Sequence, residues 1–124
     1  MNGAHTKLLG RNMLIQLFDY GFDCNEKHND LTAVMECIQN DNLEVLKILI
    51  NYGIDGNIIY QGKNLLYVGC SMMHFVLQSI IEGKNSKILR FMLENKEKLV
   101  SPLNLETTNI NGSSVLDMAR SYNL

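Results

Sequence analysis

Two pentapeptides set the terms on which this chain can fold. Gly21-Phe22-Asp23-Cys24-Asn25 and Gly53-Ile54-Asp55-Gly56-Asn57 carry glycine, aspartate and asparagine at the same offsets, and their asparagines lie 32 residues apart. Recurrence at a fixed spacing of this size marks a repeat architecture, in which each unit buries its oily side only against its neighbours. The chain is expected to be a row of similar units.

The unit from Asp30 to Asn57 is the best defined. Thr32 precedes an apolar series, Val34, Met35, Cys37 and Ile38, whose three-and-four spacing places one oily face on a short helix capped by the threonine hydroxyl. Asn40-Asp41-Asn42 breaks it. The periodicity resumes through Leu43, Val45, Leu46, Ile48, Leu49 and Ile50, with Glu44, Lys47 and Asn51 on the opposite, wetted side. Gly53 follows the last turn, where a left-handed glycine can close off the free carbonyls.

In this frame Leu43-Glu44-Val45-Leu46-Lys47, Ile48-Leu49-Ile50, Gly53, Asp55 and Asn57 closely resemble an ankyrin repeat, with Thr32-Ala33-Val34-Met35 standing where that family prefers Thr-Pro-Leu-His. The resemblance implies an all-α solenoid of helix-turn-helix units with short β-hairpin connections, and it extends over nearly the whole chain. A partial repeat is expected over 1–25: a helix ending near Gly10, then Met13 to Tyr20 with Leu14, Leu17 and Phe18 inward. Repeat 26–57 follows. The next cap, Ser71, arrives 14 residues after Asn57, whereas Thr32 arrives seven after Asn25. The extra residues include two β-prone runs, Ile58-Ile59-Tyr60 and Leu65-Leu66-Tyr67-Val68, around Gly62, which predicts a hairpin finger over 58–70. An irregular connector folded back on the stack is the alternative.

Ser71-Met72-Met73-His74 resembles the opening of a third repeat, 71–104, whose outer helix begins at Lys87 and offers Ile88, Leu89, Phe91 and Met92 for burial. No glycine closes that helix, so Asn95-Lys96-Glu97-Lys98 is expected to extend it towards Pro102. Gly112, Ser114, Val115 and Ala119 resemble the opening of a partial repeat over 105–124, with Asp117 in the histidine's place.

Several function classes find no footing in these residues. Cys24, Cys37 and Cys70 are odd in number and lack CxxC spacing, which argues for reduced thiols and against a disulfide framework or a structural zinc site. A net charge of −2 without a basic stripe leaves no electrostatic footprint for nucleic acid. No apolar run approaches the ~20 residues that span a bilayer, and the N-terminal residues lack a signal-peptide core. A cytoplasmic protein is expected, without cofactor or metal. Lys84, Lys87, Arg90, Lys96 and Lys98 read as a wetted outer face interspersed with Glu94 and Glu97. Cys24 and His28 would ligate a metal only with further partners that the sequence does not supply. His74 lies near Cys70 and Ser71, yet no third group completes a catalytic triad. The resemblance gives that histidine a structural role, tying adjacent turns by hydrogen bonds, and gives structural roles also to Thr32, Gly53, Asp55, Asn57, Ser71, Gly112 and Ser114.

The expected function is therefore non-catalytic binding of a partner protein. Carried over residue by residue, the family's concave groove is lined here by Asn29, Leu31, Ala33, Glu36, Gln39 and Asn40, then by Cys70, Met72, Phe75, Gln78 and Ser79, then by Ser113, Val115 and Met118. Met72 and Phe75 depart from the family pattern as an apolar pair, either a binding anchor or a patch covered by the 58–70 insert. Irregular repeats and a composition rich in asparagine and isoleucine resemble the ankyrin proteins of poxviruses and other large viruses, which bind factors in the host cytoplasm or nucleus. Two alternatives stay open: a regulatory or structural segment of a larger ankyrin-containing protein, and a homodimer joined through exposed terminal repeats.

Overall fold

The computed structural model describes residues 13, 15–84 and 86–122. The expected helix before Gly10 and the side chain of Leu14 lie outside the described residues. Helix α1 covers 15–20, and α2 (Ala33–Gln39) and α3 (Leu43–Leu49) make the second repeat. The third is α4 (Met72–Ile81) with α5 (Lys87–Glu94), and α6 (Val115–Ser121) is the inner helix of a fourth. Helix α2 packs on α4 and α4 on α6, so the inner helices form one row, with α3 against α2 and α5 against α4.

Position in the row explains burial. Helix α4 has neighbours on several sides and buries six consecutive residues, Met72 to Leu77. Helix α5 has the one-sided pattern of an outer helix, with Ile88 and Met92 buried, Leu89 and Phe91 half-buried, and Lys87, Arg90 and Glu94 exposed. In α3, Val45, Leu46, Ile48 and Leu49 turn inward while Glu44 and Lys47 pair across 3.8 Å in solvent, a contact worth little.

The inner helices share a register set by their caps. Thr32 Oγ1 accepts from the Met35 amide, and Ser114 Oγ accepts from the Asp117 amide. With Ser71, these caps align Met35, His74 and Asp117 three residues into their helices. Two residues before each cap, Asp30, Gly69 and Gly112 have φ of 70°, 82° and 76°. The connecting tips hold single β-bridges, His28 to Leu31 and Thr108 to Ser114, and no strand forms among the described residues.

Asparagines link one repeat to the next. Asn25 donates to the Gly53 carbonyl at 2.9 Å and accepts from the Asp55 amide at 2.8 Å. Asn57 repeats this on the following unit, donating to the Pro102 carbonyl and accepting from the Asn104 amide, both at 2.8 Å. Pro102 and Asn104 thus stand where the preceding unit has Gly53 and Asp55.

Three expectations are corrected. Leu17 is not inward: it is 42% exposed, and Phe18 makes the inward contact, its ring 5.0 Å from that of Tyr52. Helix α5 does not run on towards Pro102. It ends at Glu94, Asn95 turns its side chain back to the Phe91 carbonyl, and a 3-10 turn takes Lys96–Lys98. The third closing turn therefore lies at 102–106. Residues 58–70 form no hairpin finger either: only Tyr60 pairs across the segment, with Gly69 and Cys70, and turns occupy 65–69. The segment folds back on the stack because Tyr60 and Tyr67 gain more from the apolar surface of α4 than a solvated ribbon would give them.

Candidate protein-binding surface

Tyr67 is the residue through which the insert reaches the inner helices. Its ring stacks on Phe75 with centroids 4.8 Å apart and planes 11° from parallel, while Tyr60 meets both rings edge-on at 6.2 Å. The Tyr60 hydroxyl accepts from the Asn64 amide at 3.0 Å. Lys27 Nζ donates to the Ile59 carbonyl, fastening the start of the insert to the preceding tip.

This arrangement decides where the expected groove residues lie. Met72 and Phe75 are 1% and 2% exposed, so the anchor reading is corrected: the insert covers Phe75, and Met72 sits beneath the 54–57 turn, where a Cβ on Gly56 would approach its Cε to 2.9 Å. Met118, Val115 and Cys70 are buried as well. Asn29, Glu36 and Asn40 are exposed, and Leu31, Ala33, Gln39, Gln78, Ser79 and Ser113 are half-buried. Of these, Gln39, Gln78 and Ser79 converge with Phe75, Tyr67, Glu82 and Lys84 on a cleft of about 130 Å³.

The cleft is polar walls over an aromatic floor. Lys84 Nζ donates to the Gln39 carbonyl at 2.7 Å, Ser79 Oγ to the Ile38 carbonyl at 3.3 Å, and Gln78 Nε2 to Glu82 Oε1 at 3.3 Å. Burial, with the nearby Glu82 carboxylate, pushes the Tyr67 phenol above its ordinary range. Tyr67, Glu82 and Lys84 were not among the expected residues. The β-prone spacing around Tyr67 suggested an outward ribbon, and the latter two sit in an inter-helix turn whose direction the apolar periodicity does not encode.

The polar groups that hold the third and fourth tips bond within the chain. Ser71 donates its amide proton to His74 Nδ1 at 3.0 Å, which leaves the ring proton on Nε2, donated to the Ser113 carbonyl at 3.1 Å. Burial lowers the His74 pKa, against a smaller opposing effect of that carbonyl. Asp117 receives the Ser114 amide in the same manner, and that bond holds its carboxyl below the usual range. The thiols are buried: desolvation raises Cys37 to about 12 and Cys70 to about 11, and Cys24 Sγ donates to the Tyr52 carbonyl. No cluster of three or more His, Cys, Asp or Glu stands in metal-ligating proximity among the described residues.

A row of helix pairs joined by hydrogen-bonded tips defines a helical repeat solenoid, and the comparisons name its kind. The family model described as Ankyrin repeats (3 copies) matches residues 6–97, well over half of the sequence. The chain belongs to the ankyrin-repeat family. Ankyrin repeats mediate protein–protein interaction and are a non-catalytic fold. No curated protein and no solved structure matches this sequence.

Proposed function

We propose that this chain holds a partner protein on the face of its inner helices, with the cleft beside Tyr67 at the centre of the contact. The observation that carries this reading is a set of side chains needed by neither caps nor core: Glu36 and Asn40 exposed on the second repeat, Gln39, Gln78 and Glu82 around the cleft. Amides and carboxylates over an aromatic floor suit the backbone and basic side chains of a protein segment better than an apolar ligand. Asparagine and isoleucine content and uneven repeat lengths favour a viral or pathogen protein with a host partner in cytoplasm or nucleus.

The test is capture of a partner from host-cell lysate, then titration of the purified partner with wild-type chain and with Glu36→Arg/Gln78→Arg. Neither residue is in the core, so circular dichroism should be unchanged. Loss of at least tenfold in affinity supports the reading, and equal affinity removes this face from consideration.

A further inference from the structure

The same tip register brings three residue pairs into line: Asn29-Asp30 before Thr32, Val68-Gly69 before Ser71 and Asn111-Gly112 before Ser114. Only the last sets an asparagine against a following glycine, whose main-chain nitrogen has no side chain beside it to screen it from attack. Asn111 is held by its main-chain amide, which donates to Asn109 Oδ1 at 3.0 Å, while its side chain stands exposed to water. The turn around it is closed by Asn109. Asn109 Oδ1 also accepts from the Ser113 amide at 3.0 Å, the Asn109 carbonyl accepts from the Gly112 amide at 2.9 Å, and the Asn109 amide donates to the Ser113 carbonyl at 2.9 Å. That Ser113 carbonyl is the one that receives the His74 ring at 3.1 Å. A change of chain length at 111 is therefore passed to the link between the third and fourth tips.

We infer that Asn111 is a site of spontaneous deamidation, and that the isoaspartate it forms unfastens the fourth tip from His74. The Gly112 nitrogen gives up its proton to water or hydroxide and attacks Asn111 Cγ. A Cγ–N bond forms, the Cγ–Nδ2 bond breaks, and the departing nitrogen takes up a proton and leaves as ammonia. Water then opens the resulting succinimide at either carbonyl. Opening at Cγ gives aspartate; opening at the main-chain carbonyl breaks its bond to the Gly112 nitrogen and gives isoaspartate, with the chain routed through Cβ and one atom longer. Asparagine and water become acid and ammonia, so no oxidant, reductant or enzyme is required. In the closed turn the attacking nitrogen is donating to Asn109, so reaction proceeds from the opened tip. The lengthened chain cannot restore the closure between Asn109 and Ser113, and Ser113 loses its place opposite His74. An opening that was reversible becomes permanent.

The test is to age the 124-residue chain at pH 8 and map it by proteolysis and mass spectrometry. Isoaspartate is counted by methyl transfer from S-adenosylmethionine with an isoaspartate-specific carboxyl methyltransferase. Asn111 should convert at least tenfold faster than Asn29, which is equally exposed at the same place in its tip but is followed by Asp30. The peptide holding Asn2-Gly3, the other Asn-Gly pair of the sequence, is scored separately. His74→Asn frees the Ser113 carbonyl and should speed conversion at least threefold, since reaction follows the population of the opened tip. Asn111→Gln should remove the signal from this peptide, because its ring closure is six-membered and slow. In the purified isoaspartate form the amides of Asn109 and Ser113 should exchange at least tenfold faster than in Asn111→Asp, which adds the same charge without the extra chain atom. Equal conversion at Asn111 and Asn29 overturns the inference. So does a rate indifferent to His74→Asn, and so does unchanged exchange in the isoaspartate form.

Discussion

The imidazole of His74 reaches the carbonyl of Ser113, 39 residues further along, while its other nitrogen is held by the amide of Ser71. One ring thus joins the tips of the third and fourth repeats. Asp117 takes the same helix position and makes only the local half of the contact.

Acid should act through this ring. Its folded pKa lies below the ordinary 6.5, so the unfolded chain binds the proton more tightly. The stability held by neutral His74 is complete above about 6.5 and is lost as pH falls below that towards the depressed folded value. Urea midpoints measured at pH 7.5 and 5.5 should fall further for wild type than for His74→Asn, the difference isolating this group from the carboxylates. At pH 7.5 His74→Asn itself should cost about 1–3 kcal/mol, since asparagine can still receive the Ser71 amide but leaves the Ser113 carbonyl short of its donor.

Phe75→Ala is expected to destabilise by about 3–5 kcal/mol in urea unfolding, the loss of a core phenylalanine. An exposed anchor would cost far less. Paired with Tyr67→Ala in a double-mutant cycle, it should show a coupling of about 0.5–1.5 kcal/mol, because each variant already removes the stacked ring pair.

Substitutions at the left-handed tip positions should have opposite signs. Asp30→Gly should raise stability by up to about 1 kcal/mol, since a side chain at φ 70° is strained there and the exposed residue gives up little. Gly69→Ala should destabilise by more than that, because the added Cβ would lie 2.9 Å from Asn109 Cα as well as occupying φ 82°. Thermal melts of the two variants beside wild type check both signs.

Removing the Asn57 side chain should loosen the third tip selectively. Asn57→Ala takes the partner from the Asn104 amide and the Pro102 carbonyl, and because water can replace it at these exposed groups the cost is about 1 kcal/mol for each bond. Hydrogen exchange should speed up at Asn104 while amides in α2 slow-exchange as before.

What was legible in the sequence was what is local. Thr32, Ser71 and Ser114 cap helices because a hydroxyl and the amides it can serve are set by three residues of chain, and the Gly53 turn needs only its own left-handed φ of 81°. The third closing turn escaped notice for the same reason in reverse: Pro102, Asn104 and Glu106 keep the geometry that Asn57 grips but not the residue types. Around the cleft, Gln39, Gln78 and Ser79 come together because they stand on neighbouring inner helices, which the ankyrin resemblance already implied. Phe75 was misjudged because its cover comes from Tyr67, in a segment whose two short apolar runs, 58–60 and 65–68, satisfy an outward ribbon and an inward fold equally. Burial there is decided by a long-range aromatic contact that no window of sequence contains.

The asparagine links run in one direction. Asn25 holds the turn at 53–55 and Asn57 the turn at 102–104, so each unit carries the grip and its successor the gripped backbone. A chain leaving the ribosome presents each clasp before the loop it will fasten. Each new repeat therefore emerges beside a neighbour that already carries the side chain to hold it, and growth of the stack from the amino end fastens one turn with every unit added.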